Sequence, residues 1–260
     1  MENQAVLYSV ENETATITLN RPNSLNSMNE DLVNTLLSVL QTAEGADNVR
    51  VIVLTGNGRA FCAGGDLSHL GALQDVVMAQ NFITKVGKLV EKIMSLNKPI
   101  IAMVNGIAAG AGFNLALACD IIYCAKSARF AQSFAKVGLV PDCAGMYLLP
   151  RIIGLHKAKE LMFTADLIDS ATADKLGLIN KVVADEELST ETYAFAEKLK
   201  NSAPLAIGLI KQTLNNTDTL TLQNLLSQEA ALQTLCMQTA DHKEGLLAFK
   251  EKRTPIFIGK

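Results

Sequence analysis

Apolar and polar positions alternate through residues 6–10 (VLYSV) and again through residues 14–19 (TATITL), with three polar residues between them. That period predicts an antiparallel pair of strands, ended by Arg21 and Pro22. Asn29 is placed to cap a helix whose Leu32, Leu36, Leu37 and Leu40 share one face. VRVIVLTG from Val49 is a short β-branched run of the buried-strand kind. Residues 74–96 return to a helical period, with Phe82, Val86, Leu89, Val90 and Ile93 on one face and Lys85, Lys88 and Lys92 on another. KPIIAMV from Lys98 and DIIYCAK from Asp120 predict two further strands, and residues 130–139 an irregular segment leading to Asp142. Past Arg151 the pattern is helical: residues 157–165, 170–179, 187–203 and one long stretch over 205–252. Ser170 is read as the cap of a short helix that Gly177 stops. Strand, strand, helix units in succession favour an α/β fold with sequential strands buried between helices.

Two stretches break this pattern with small residues. In NGIAAGAGFNLALACD from Asn105, glycines at 106, 110 and 112 precede an unbroken apolar run, which predicts a tight turn feeding a helix. The first N–H groups of a helix lack internal acceptors and are free for an anion, so Ala111 and its neighbours are candidate oxyanion donors; close helix–sheet packing is the alternative reading. RAFCAGGD from Arg59 leaves the VIVLTG strand into a second such loop. Two loops can supply two donors.

With 49% hydrophobic and 19% charged residues, the composition is that of a folded globular protein. A net charge of −3 offers no electrostatic reason to expect nucleic acid as a partner. A row of three lysines on one helix is ordinarily a solvated face. The cysteines, at 62, 119, 124, 143 and 236, form an odd set without a CxxC pair, as expected for reduced, buried thiols. Cys62 and Cys143 have no histidine close by in sequence, which leaves a thiolate nucleophile unsupported, and His69, His156 and His242 lack metal-ligand spacing, so no metal is expected. The first 19 residues do not run from a cationic start into an apolar core, and no apolar segment is long enough to span a bilayer. A cytoplasmic protein without a membrane partner is the expectation.

LNRP from Leu19, AFCAGGDL from Ala60, KPIIAMVNGIAAGAGFNLALACDI from Lys98, GLVPDCAGMYLLPRIIG from Gly138 and the ending AFKEKRTPIF occur in an order that resembles the crotonase family, the enoyl-CoA hydratases and isomerases. The resemblance implies a spiral of repeated ββα units over residues 1–200 that carries an acyl-CoA site. It also implies a C-terminal helical region over 201–260 that covers the CoA pocket and builds homotrimers, alone or paired into hexamers. Coenzyme A would be part of the substrate, with no separate cofactor.

Carried over by motif, the two backbone oxyanion donors are Gly65 and Ala111, the latter where the family usually has glycine. The positions of the two hydratase glutamates hold Asn114 and Phe134, so water addition lacks its acid and base. Asp142, in GLVPD, stands where isomerases and a dehalogenase branch keep a carboxylate; apolar Val137, Leu139 and Val140 around it would raise its pKa. On its own, Asp after Pro also reads as the start of a turn. The resemblance implies that Asn114 and Phe134 line the acyl pocket, the Asn114 amide meeting water or substrate. It implies further that Ser24, Leu25, Ala63 and Gly64 join Gly65 in holding CoA, and that Lys252 meets a phosphate. Double-bond migration in an enoyl-CoA by Asp142 is the expected activity. Hydration of a 2-enoyl-CoA, nucleophilic attack by Asp142, or a silent CoA- or RNA-binding role are the alternatives. The PDCAGMYLLPR segment is also similar to isomerases of phenylacetate breakdown, which extends the implied substrates to ring-derived aromatic thioesters.

Overall fold

A computed structural model describes residues 4–260; the first three positions of the stretch read for a secretion signal lie outside the described residues. The predicted hairpin is present, β1 (Val6–Glu11) against β2 (Thr14–Leu19), with Val6 opposite Leu19. Asn12 and Glu13 turn the corner with positive φ, the conformation a two-residue hairpin requires. In α1 (Glu30–Gly45) the Asn29 side chain accepts from the Leu32 N–H, and Leu32, Val33, Leu36 and Leu40 face the core.

The next elements alternate between two sheets. β3 (Val51–Gly56) is buried throughout and leads to β4 (Ala60–Cys62), then α2 (Leu67–Ala72) and α3 (Val76–Ser95). β5 (Ile100–Val104) leads to β6 (Ile107–Ala109) and α4 (Ala111–Leu117). β7 (Ile121–Ala125) leads to β8 (Arg129–Ala131), a 3₁₀ turn over Ser133–Val137, and α5 (Gly145–Thr164). After β9 (Ile168–Asp169), α6 (Ser170–Lys175) and β10 (Lys181–Val183), the chain is helical: α7 (Leu188–Lys200), α8 (Pro204–Asn216), α9 (Leu222–Met237) and α10 (Ala240–Glu251).

The larger sheet has the order β1-β2-β3-β5-β7-β10, parallel from β2 onward; the smaller has β4-β6-β8-β9, parallel through β8. Each repeat therefore gives one strand to each sheet and then a helix, and successive repeats stack in sequence order. This is the expected ββα spiral. Because β4, β6 and β8 are parallel, the segments that follow them all leave from one edge, the edge at which parallel sheets present their ligand sites.

Several expectations are corrected. β8 and the other strands of the smaller sheet, at two or three residues each, were not legible as strands. The cap of α6 is the Asp169 side chain, which accepts from the Thr172 N–H, while Ser170 is the first helical residue; Gly177 does end that segment with φ +73°. Residues 205–252 form three helices, not one, because Thr221 and Thr239 each accept the N–H of a new first turn. α5 starts before Arg151 and is broken at Gly154.

On the lysine face of α3, Lys85 pairs with Glu30 and Lys92 with Glu44, both from α1. Of the three lysines, that leaves Lys88 as the one without an ion pair among the described residues. No helix among the described residues is long and apolar enough to cross a membrane. The five thiols are free, and all but Cys236 are buried.

Candidate active site

A cleft of about 490 Å³ opens where the segments after β4, β6 and β8 meet α2 and α3. Its first wall is a zipper between two loops. The Ala63 N–H donates to the Leu25 carbonyl (3.0 Å), the Met28 N–H to Gly64 (2.7 Å) and the Asp66 N–H to Met28 (2.9 Å). Pairing on both sides of Gly65 leaves its own N–H without an acceptor among the described residues, and Gly65 lines the cleft.

A buried turn holds the zipper in register. Leu25 and Asn26 both take positive φ, and the fully buried Asn26 amide donates to the Asn57 and Ala60 carbonyls and accepts from the Arg21 N–H. Arg21 reaches the Ser27 carbonyl (2.6 Å) and the Asp66 carboxylate (2.9 Å). Burial works against the Asp66 charge, but Arg21 and the Ser68 and His69 N–H groups outweigh it and hold the carboxyl below its usual range. Asn26 and Arg21 were missed as site-building residues. Their signal was a polar cluster in NRPNSLN with neither helical nor strand period, next to a proline.

The second wall is the turn into α4. Gly110 carries the left-handed φ (+52°) and donates its N–H to the Ala131 carbonyl, so Ala111 begins the helix without needing that conformation. Alanine in place of glycine is therefore tolerated there. The Ala111 N–H has no acceptor among the described residues and borders the cleft. The two walls touch: a Cβ built on Gly64 (φ +99°) would lie 2.9 Å from the Ala109 carbonyl oxygen and 3.5 Å from the Ala111 nitrogen.

The third wall follows β8. Phe134 lines the cleft beside Gly110, and the chain continues to Asp142, which borders the same space. One Asp142 carboxyl oxygen, Oδ1, is buried without a hydrogen-bond partner among the described residues. Burial pushes the group up to about 6. Burial also pushes up the neighbouring Cys143 thiol, and the Asp142 charge raises it further, so it stays protonated. Val137, Leu139 and Val140 do not enclose the carboxyl as expected. They form the cleft rim, at 50%, 49% and 73% exposure.

Ala63, Gly64, Gly65, Ala111, Phe134 and Asp142 are thus brought together around one cleft. Four other predicted residues are not. Asn114 is fully buried behind the wall; its Nδ2 donates to the Asp142 carbonyl (2.8 Å) and its Oδ1 accepts from Gln132 Nε2 (2.7 Å), so its amide is spent on the protein instead of meeting water or substrate. Leu25 lies behind the Ala63 loop, and Ser24 borders a separate open depression with Arg21 and Asn57. Lys252 is exposed at the end of α10, outside the cleft lining. No group of three His, Cys, Asp or Glu among the described residues is arranged to hold a metal ion.

Chemically, two unengaged N–H groups beside one proton acceptor in an apolar cleft suit removal of a proton next to a carbonyl. Amides so placed can stabilise an oxygen that gains charge, and a carboxyl so placed can hold the proton.

Comparison with known proteins identifies the family. The enoyl-CoA hydratase/isomerase family profile matches residues 9–260. A 1,2-epoxyphenylacetyl-CoA isomerase of Escherichia coli K12 is 41% identical, with 98% of each chain covered. A crotonyl-CoA hydratase of Syntrophomonas wolfei is 34% identical over the full length of both. The crystal structure of an enoyl-CoA hydratase from Bacillus anthracis superposes with a TM-score of 0.95 at 34% identity, covering 99% of this chain and all of the other. The spiral of ββα repeats, the small-residue loops and the match along almost every residue lead to one conclusion: this chain belongs to the enoyl-CoA hydratase/isomerase family, within the crotonase superfamily.

Proposed function

We propose that the protein is an acyl-CoA isomerase in which Asp142 moves a proton while the Gly65 and Ala111 N–H groups hold the thioester oxygen. The Asp142 carboxylate removes a proton from C2 of a 3-enoyl thioester; the C–H electron pair moves into the enolate, whose charge rests on the thioester oxygen. The protonated Asp142 then returns the proton to C4, which leaves the double bond conjugated and the enzyme unchanged. Each N–H donor contributes about 3 kcal/mol to such a step in comparable sites.

The observation that carries this reading is that, among the described residues lining the cleft, Asp142 is the single carboxyl, with one oxygen free of protein partners. Hydration needs a second proton-handling group, and the two positions that would supply it hold Phe134 and the committed amide of Asn114. Pairing of Lys85 and Lys92 with acidic residues argues against an RNA-binding face. The walls of Phe82, Ile83, Leu70, Leu73 and Phe134 suit an apolar acyl group, aromatic ones included, in line with the isomerase relative.

In this reading pantetheine runs along Ala63 and Gly64, Leu25 holds that loop from behind, the CoA extends out of the cleft toward Ser24, and Lys252 meets a CoA phosphate at a subunit boundary. Trimers or hexamers are proposed because α9 buries no side chain within the chain, while Leu222, Leu226, Leu235 and Met237 on it are at least half exposed. A monomer by light scattering would refute that assembly.

Asp142→Asn is expected to abolish conversion of 3-hexenoyl-CoA to its conjugated isomer while acyl-CoA binding persists. The wild-type rate should fall as pH drops through about 6, because the base must be ionised. Full activity in the variant, or faster addition of water to a 2-enoyl-CoA than isomerisation, overturns the proposal.

A further inference from the structure

Asp142 stands on a turn that resists its own shape. Cys143 and Ala144, the next two residues, both take left-handed φ (48° and 55°), a region L side chains avoid, before α5 begins at Gly145. One hydrogen bond inside the turn, from the Gly145 N–H to the Asp142 carbonyl (2.9 Å), closes it. The other lone pair of that carbonyl accepts from Asn114 Nδ2 at 2.8 Å.

The Asn114 amide has a fixed orientation. Its nitrogen must face the Asp142 carbonyl, so its oxygen faces Gln132, which is fully buried and donates Nε2 at 2.7 Å. On the far side the turn presses against the same amide: a Cβ on Gly145 would lie 2.2 Å from Asn114 Nδ2. Gln132 follows β8 and Asn114 sits on α4, so the brace ties the Asp142 turn to the end of β8 and to α4, the helix that carries the second cleft wall.

We infer that Asn114, oriented by Gln132, is a positioning residue that clamps the left-handed turn and thereby aims the Asp142 carboxyl into the apolar cleft. This rests on the reading of Asp142 as the acid/base. Without the clamp, the turn relaxes toward right-handed backbone and the carboxyl gains contact with water. Its reach to the substrate carbons is lost and its proton affinity falls. The groups facing the carboxyl are few: Lys136 is the one other charged side chain among the described residues lining the cleft, and the Cys143 thiol beside it remains neutral. A change in the acid limb therefore reports on the exposure of Asp142.

The test measures kcat, KM and the pH dependence of 3-hexenoyl-CoA isomerisation for Asn114→Ala, Asn114→Asp and Gln132→Met beside Asp142→Asn. Asn114→Ala should lower kcat by about 10²-fold, the scale of a small misplacement, with KM within about twofold of wild type. Its acid limb should move from about 6 toward the ordinary carboxylate range. Asn114→Asp keeps the shape but replaces the N–H donor with a carboxyl, which donates to the carbonyl only when protonated, so activity should not be restored at pH values where that carboxyl is ionised. Gln132→Met keeps the volume but frees the Asn114 oxygen, and should shift kcat and the limb in the same direction by less. It carries the test if the Asn114 variants do not fold. Wild-type kcat and limb in these variants, or a fall in kcat with the limb unmoved, overturns the clamp. If Asp142→Asn is itself active, the acid/base reading fails, a result distinct from failure of the clamp alone.

Discussion

The two sheets of this protein divide the work. In the larger one, β3 and β5 are buried at every position and consist of Val, Ile, Leu, Ala, Thr and Met with a closing glycine; their side chains make the core. In the smaller one, β4, β6 and β8 are three residues long and mostly Ala, Phe and Cys; Phe61 and Phe130 are fully buried, but Gly65, Ala111 and Phe134 each lie within three residues of the end of one of these strands. One sheet supplies cohesion and the other supplies spacing. Where the spacing of two main-chain amides decides a rate, small residues let the strands come close enough to set it.

The sharpest way to break this division is to change each sheet once. Gly64→Ala adds one methyl at φ +99°, 2.9 Å from the Ala109 carbonyl oxygen, and so pushes apart the walls that carry Gly65 and Ala111. Isomerisation should fall by about 10²–10³-fold, the usual cost of losing one oxyanion donor. Leu54→Ala in fully buried β3 should instead cost about 2–5 kcal/mol of stability while the folded fraction keeps its kcat. Urea unfolding and turnover measured on both variants decide the matter. If Gly64→Ala loses stability but not kcat, or Leu54→Ala loses kcat at full folding, the two sheets are not divided as described.

The same contrast explains what was legible in the sequence. The hairpin, β3, β5, β7, α1 and α3 were readable because long elements repeat their period often enough to be seen. The Asn29 cap was readable because a side chain accepting its own helix's N–H is a local event. Three-residue strands complete barely one period, so the smaller sheet was invisible as a sheet, although its glycine-rich exits pointed to the cleft. The resemblance placed Asp142, Gly65 and Ala111 by motif. It misplaced Asn114, because which way a buried amide faces depends on Gln132, 18 residues on, and on the carbonyl of Asp142, 28 residues on. Such long-range partners leave no trace in a local pattern. Asp169 displaced Ser170 as a cap for a simpler reason: two adjacent residues both had capping chemistry, and backbone entry angle chose between them.

The smallest expected effect concerns stability, and it runs against function. Asp142 belongs to the spacing part of the molecule, and its carboxyl is raised from the ordinary range to about 6 because ionising it inside the cleft is unfavourable. In the unfolded chain the group ionises at its usual, lower value. Well below that value both states hold the proton and the carboxyl has no effect on folding. As pH rises toward 6 the unfolded chain releases its proton first, so the native state loses stability relative to it; above 6 the loss is complete and constant. A raise of this size corresponds to about 3 kcal/mol at full value. Asp142→Asn removes that charge but leaves an amide whose polar atoms must also find partners, so the net gain should be about 1–2 kcal/mol. Urea midpoints near pH 8 should therefore be higher in the variant than in wild type with an unchanged slope, and that advantage should be lost by about pH 4, where folded wild type no longer carries the charge and the variant still carries its amide. Equal midpoints at both pH values would mean that the carboxyl is as well solvated folded as unfolded, and the apolar cleft around it would then have no part in making it a base.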